Sequence, residues 1–132
     1  MCDGTEPIED GECLYRRIPA NANYYDPARS AEPSPMAFRP RESDTTGLSI
    51  SRAKYLAPDR LPNPRGKPYY VAVLKAGDLR AMGITVVSKP VPDNLGHAEL
   101  SDLTWANRSS DSAEEKQQML ARKLCLEILG PF

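Results

Sequence analysis

No apolar stretch in this chain of 132 residues approaches the ~20 residues needed to span a bilayer as a helix. The first residues are acidic and lack an apolar run, so they do not read as a secretory signal. There is one histidine, His97, and no CxxC pair among the three cysteines Cys2, Cys13 and Cys125. That spacing excludes a zinc ribbon or a redox dithiol, and no second His or nearby Cys completes a metal set around His97. The cysteines are expected to be reduced, with Cys125 simply part of a helix face. Charge of one sign is also missing: 17 Lys and Arg stand against 18 Asp and Glu, so no global field draws the chain to nucleic acid or to a membrane. A protein of the cytoplasm is the expectation, without a membrane partner.

Proline and glycine are plentiful, 13 and 8, and leave room for few long regular elements. The length fits one domain. Residues 1–12 carry Asp3, Glu6, Glu9, Asp10 and Glu12 with no basic residue, which predicts an acidic, flexible N-terminal tail ahead of a single domain over 13–132. Cys13 to Ile18 alternates as a strand stopped by Pro19, with Leu14, Arg16 and Ile18 on one side. Arg16 among apolar neighbours is either a strand-end residue or one drawn inward by a partner. Five prolines between 19 and 46 make a long irregular connection, with Tyr24, Tyr25 and the Ala37-Phe38-Arg39 neighbourhood as its docking points.

Leu48 and Ile50 alternate with Ser49 and Ser51 in a second strand. Tyr69 to Leu74, aromatic and β-branched, reads as a central buried strand. A short helix over 76–82, stopped by Gly83, a strand over 84–87 and a turn through Pro90-Val91-Pro92-Asp93-Asn94 follow. Ser112 with Glu115 makes a capping-box pattern, Gly130-Pro131 supplies a stop, and Leu120, Leu124 and Ile128 form an apolar stripe, so a C-terminal helix is expected over 112–129. The fold class is α+β: a small mixed or mostly antiparallel sheet, one short helix, the C-terminal helix and long Pro-rich loops.

Chemistry can be sought in three places. In Gly96-His97-Ala98-Glu99-Leu100 a strand places His97 and Glu99 on one face and Ala98 and Leu100 on the other, a pairing suited to a base and an orienting acid or to a solvated strand. Arginine on the first strand, serines on the second and glutamate on a late one resemble the order found in ADP-ribosyltransferases and related NAD-consuming domains. That resemblance implies Arg16 or Arg17 on NAD phosphates, Ser49 with Ser51 shaping the nicotinamide pocket, and Glu99 stabilising an oxocarbenium-like transition state; His97 departs from it, standing where many members carry Glu or Gln. Leu14-Tyr15-Arg16-Arg17-Ile18, Ala37-Phe38-Arg39, Leu48-Ser49-Ile50 and Gly96 to Leu100 together resemble a group of small uncharacterised bacterial proteins, which implies no particular activity.

The third place is a basic stretch, Arg39, Arg41, Arg52, Lys54, Arg60, Arg65 and Lys67, set against Glu42, Asp44 and Asp59, with Tyr55, Tyr69 and Tyr70 nearby. It reads as a phosphate track with stacking aromatics for nucleic acid, as a face for an acidic protein, or as a patch over which the acidic N-terminus folds. Because the chain has no basic excess, an interaction or accessory protein without a cofactor, acting through protein binding, is the leading reading. NAD-dependent ADP-ribosyl transfer or NAD hydrolysis is the alternative, and nucleic-acid binding through residues 39–67 a further one.

Overall fold

The computed structural model describes residues 3–132. Six antiparallel strands form one sheet: β1 (Cys13–Pro19), β2 (Leu48–Arg52), β3 (Tyr69–Lys75), β4 (Val86–Ser88), β5 (His97–Leu100) and β6 (Glu127–Leu129), in the spatial order β4-β5-β2-β1-β3-β6. A short helix α1 (Ala76–Ala81) follows β3, and α2 (Asp111–Met119) precedes β6. The class is therefore α+β, as the alternations require.

Two-residue periodicity decides which face is core. Leu14 and Ile18 on β1, Leu48 and Ile50 on β2, Ala72 and Leu74 on β3, and Ala98 and Leu100 on β5 are buried in one cluster. Phe38, Leu79, Leu103, Leu120 and Leu124 join that cluster from outside the sheet. Phe38, 0% exposed, sits in a 3-10 turn over Pro35–Phe38 whose entry is capped by Ser34. That turn packs on α2 and its continuation, so the long connection is anchored in its middle. Truncating such a buried phenylalanine costs about 3–5 kcal/mol.

Arg16 shares the core side of β1 with Leu14 and Ile18 and is drawn inward by main-chain partners. It is 7% exposed; its Nε donates to Ala37 O at 3.0 Å and its Nη1 to Ser49 O at 2.9 Å. The buried guanidinium thus ties the anchored loop to β2, and its charge is offset by bonds rather than by water.

The C-terminal helix ends earlier than its apolar stripe predicts. Past Met119 it widens into π-helical turns over Leu120–Leu124, and Cys125 is extended. Leu126 N then donates to Val73 O, and Val71, Ala72 and Val73 of β3 pair with Leu129, Ile128 and Glu127. Without β6, the outer edge of β3 would carry unpaired amides and carbonyls, and strand pairing there outweighs one more helical turn. The N-cap also differs from the Ser112 expectation: Ser110 Oγ accepts from Ala113 N at 3.1 Å, while Ser112 Oγ accepts from Lys116 Nζ.

The acidic segment before β1 differs most from a mobile tail. Ile8 is 7% exposed in the core cluster, and Glu12 O and Asp10 O accept from Ala76 N and Gly77 N. Residues 3–12 form a strap across one end of the sheet, close against the loop before β5 where Gly4 adopts φ +89°. What holds the strap is Arg52 at the end of β2. Its side chain is 0% exposed and meets Glu12 Oε1 at 2.6 Å. It also donates to the carbonyls of Gly4, Glu6 and Pro7 and lies 3.4 Å from Glu6 Oε1.

Candidate functional site

The strand face opposite the helices is polar at its centre. β2 lies between β5 and β1, with Ser51 opposite both His97 and Tyr15 and Ser49 opposite Glu99. A second, smaller apolar cluster of Leu61, Tyr69 and Val71 covers the β3 end of this face. Between that cluster and the loop before β5 an open cleft of about 260 Å³ remains. Arg16, Arg17, Ser49, Ser51 and His97 all line it, and so do Arg41 and Asp44. Five residues singled out on three separate strands therefore share one cleft.

Glu99 is not among the lining residues. Its Oε1 accepts from Thr46 Oγ1 at 2.6 Å, so it does not orient His97 as the strand-face pairing predicts. The imidazole takes other partners: Nδ1 lies 2.9 Å from Lys89 O, to which it donates, and Nε2 lies 3.4 Å from Ser49 Oγ. A backbone carbonyl accepts only, so Nδ1 carries a proton and the ring orientation is fixed by the chain itself. Ser49 Oγ in turn donates to Asp44 Oδ1 at 3.1 Å.

Asp44 is the residue that sequence reasoning passed over. It is buried, its Oδ2 accepts from Arg41 N at 2.7 Å, and its own carbonyl accepts from Trp105 N. The available signal was its place as an acid within the basic stretch, five residues before Ser49. Asn94, also buried, donates from Nδ2 to Ser51 Oγ at 3.0 Å and accepts from Gly96 N, which fixes the turn that delivers His97.

Positive charge concentrates here. Burial pushes the Arg16 guanidinium down to about 10; Asp44 opposes that shift, and the like charges of Arg41 and Arg17 add to it. Arg17 is lowered by burial and by Arg41. Its Nη1 donates to Pro62 O at 2.6 Å and to Asn63 Oδ1 at 3.2 Å, which holds the loop from 58 to 68 beside the cleft. The Arg41 guanidinium lies 6.0 Å over the Tyr24 ring. Neither Arg17 nor Arg41 forms an ion pair among the described residues. A larger adjoining cleft of about 710 Å³ shares both arginines and adds Arg65 and Lys67 on its wall, with Glu42 as the acid among its lining residues.

The basic stretch is thus divided by the fold. Arg52, expected at a binding surface, is buried beneath the strap, because two carboxylates and three carbonyls satisfy it there. Lys54 Nζ pairs with Glu6 Oε1 at 3.1 Å. Arg39 donates to Ser109 Oγ, and Arg60, exposed, lies 4.0 Å from Asp59. Only Arg41, Arg65 and Lys67 of that stretch reach the clefts, where Arg17 joins them. The tyrosines are committed to the body of the protein rather than to stacking. Tyr69 donates to Pro58 O, Tyr70 meets Tyr25 edge-on at 4.9 Å, and Tyr55 donates to Glu6 Oε1.

Cys13 is free and exposed, and Cys125 is free with its thiol pushed up to about 11 by burial. Neither lines the clefts. Among the described residues no group of His, Cys, Asp and Glu has the arrangement to hold a metal ion, and no helix is long and apolar enough to cross a membrane. Comparison with protein-family models, curated proteins and solved structures returns no match.

Proposed function

We propose that this protein is a small interaction protein of the bacterial cytoplasm that binds an acidic segment of another protein in the groove made by the two adjoining clefts. The observation that carries this reading is the set Arg17, Arg41, Arg65 and Lys67 around one groove without an ion pair among the described residues. Arg52 and Lys54, by contrast, pair with carboxylates of the strap, and Arg80 pairs with Asp10. Cations left in a concave surface attract an anionic ligand and raise its association rate. The test compares partners retained by the wild-type chain with those retained by Arg65→Glu/Lys67→Glu and by Arg60→Glu, a charge reversal outside the groove. Partners lost from the double variant and kept by Arg60→Glu support the reading; equal retention by all three overturns it.

A second reading, NAD-dependent ADP-ribosyl transfer or NAD hydrolysis, draws support from Arg16, Arg17, Ser49 and Ser51 lining one cleft with Glu99 opposite Ser49 in the ladder. The bond from Thr46 to the Glu99 carboxylate counts against it. NAD turnover abolished by Glu99→Gln is the outcome this reading requires. Absence of turnover in the wild-type chain removes it.

A further inference from the structure

The inner cleft has a charge that an ordinary acidic side chain does not match. Three arginines, Arg16, Arg17 and Arg41, are among its lining residues together with one acid, Asp44, and Asp44 is already engaged by Arg41 N and Ser49 Oγ. Two positive charges are left over, the histidine aside. A glutamate or aspartate side chain brings one negative charge and two oxygens. A phosphate monoester brings roughly −1.5 to −2 near neutral pH and three strong acceptor oxygens, and guanidinium forks match those oxygens bidentately.

The donors available fit such a group. Arg16 uses Nε and Nη1 on the carbonyls of Ala37 and Ser49, and its Nη2 has no acceptor among the described residues. The Arg17 bonds to the 58–68 loop leave from Nη1. The Arg41 side chain has the Tyr24 ring as its partner and no oxygen. Because two main-chain bonds hold Arg16 in place at the cleft, its remaining donor is preorganised and costs little side-chain entropy on binding.

We propose that the inner cleft receives the phosphate of a phosphorylated serine or threonine in the partner, whose acidic flanking residues lie along the outer cleft beside Arg65 and Lys67. This rests on the acidic-partner reading and narrows it to a phosphorylated segment, in the manner of arginine clusters that recognise phosphorylated motifs. The outer cleft, about 710 Å³ and sharing Arg17 and Arg41 with the inner one, gives the flanking chain its path.

Fluorescence anisotropy with three labelled peptides of one acidic sequence tests it, the central residue being phosphoserine, serine or glutamate, with inorganic phosphate and adenosine monophosphate as competitors. The phosphoserine peptide is expected to bind at least about tenfold more tightly than the glutamate peptide, inorganic phosphate is expected to compete, and Arg41→Ala is expected to remove the preference. Arg41 makes no side-chain hydrogen bond, so this variant keeps the fold, and Arg17→Lys gives a second test without truncation. Equal affinity for the phosphoserine and glutamate peptides, with both weakened by Arg65→Glu/Lys67→Glu, overturns the phosphate assignment and leaves the basic groove standing. Failure of every peptide to bind overturns both. A preference that survives Arg41→Ala and Arg17→Lys, or adenosine monophosphate displacing the peptide more effectively than inorganic phosphate does, also overturns the assignment, the latter in favour of a nucleotide.

Discussion

Replacing Arg52 with methionine isolates the charge that holds the strap, because the apolar stem is kept while the guanidinium is removed. Arg52 is fully buried, and its partner Glu12 is 9% exposed at the side chain. The substitution leaves that carboxylate in a poorly hydrated place without its cation, and the carbonyls of Gly4, Glu6 and Pro7 lose a donor. Removing one partner of a buried ion pair costs about 3–5 kcal/mol, most of it from the charge left behind. The carbonyls, each worth about 1–3 kcal/mol when buried and unsatisfied, do not add in full, because the strap can lift and let water in. Against a domain stability of about 5–15 kcal/mol this is a large fraction. Urea unfolding followed by circular dichroism should give a loss of about 3–5 kcal/mol, with a fall in Tm on the order of 10–20 °C. Limited proteolysis at Glu9 should accelerate in the variant. A stability loss below about 1 kcal/mol, with unchanged cleavage, would show that the Arg52 cluster behaves like a surface ion pair and would refute the reasoning.

The Tyr55 hydroxyl, with help from Lys54, holds the Glu6 carboxyl down at about 2 from an ordinary 4.5. Its stabilising contribution is therefore complete above about pH 4.5 and is lost as the pH falls from there towards 2. Carboxyl carbon NMR should find its midpoint near 2, and Tyr55→Phe should move the midpoint upward; an unmoved midpoint contradicts the assignment. Ser110→Ala should cost about 1 kcal/mol through loss of the α2 N-cap, while Ser112→Ala should stay within about 0.5 kcal/mol; thermal unfolding of the two variants separates them, and the reverse order would restore the sequence-based cap.

Much of the sheet is legible in the sequence because a strand records its buried face in alternate residues. Leu14, Arg16 and Ile18, then Leu48 and Ile50, then Ala98 and Leu100, declare that face without any knowledge of the neighbours. The same parity puts Arg17, Ser49, Ser51, His97 and Glu99 on polar faces. What parity does not carry is strand order, and it is the β5-β2-β1 adjacency that makes one cleft of those residues while Thr46 draws Glu99 aside. The sequence alone leaves Arg52 among the surface cations because its partners Glu6 and Glu12 lie at least 40 residues away in the chain. β6 was hidden because Leu120, Leu124 and Ile128 fit a helical stripe; the demand of the open β3 edge for a partner is a property of the assembled sheet.

The central claim, that the groove walled by Arg17, Arg41, Arg65 and Lys67 is the binding surface, is tested most directly by amide NMR of the intact chain titrated with an oligoglutamate peptide. The largest shift changes are expected at Arg17, Arg41, Ser43, Asn63, Arg65 and Lys67, all lining the outer cleft, and they should vanish in Arg65→Glu/Lys67→Glu. Changes centred instead on Arg60, Arg80 or Arg122, or of equal size in the double variant, would contradict it.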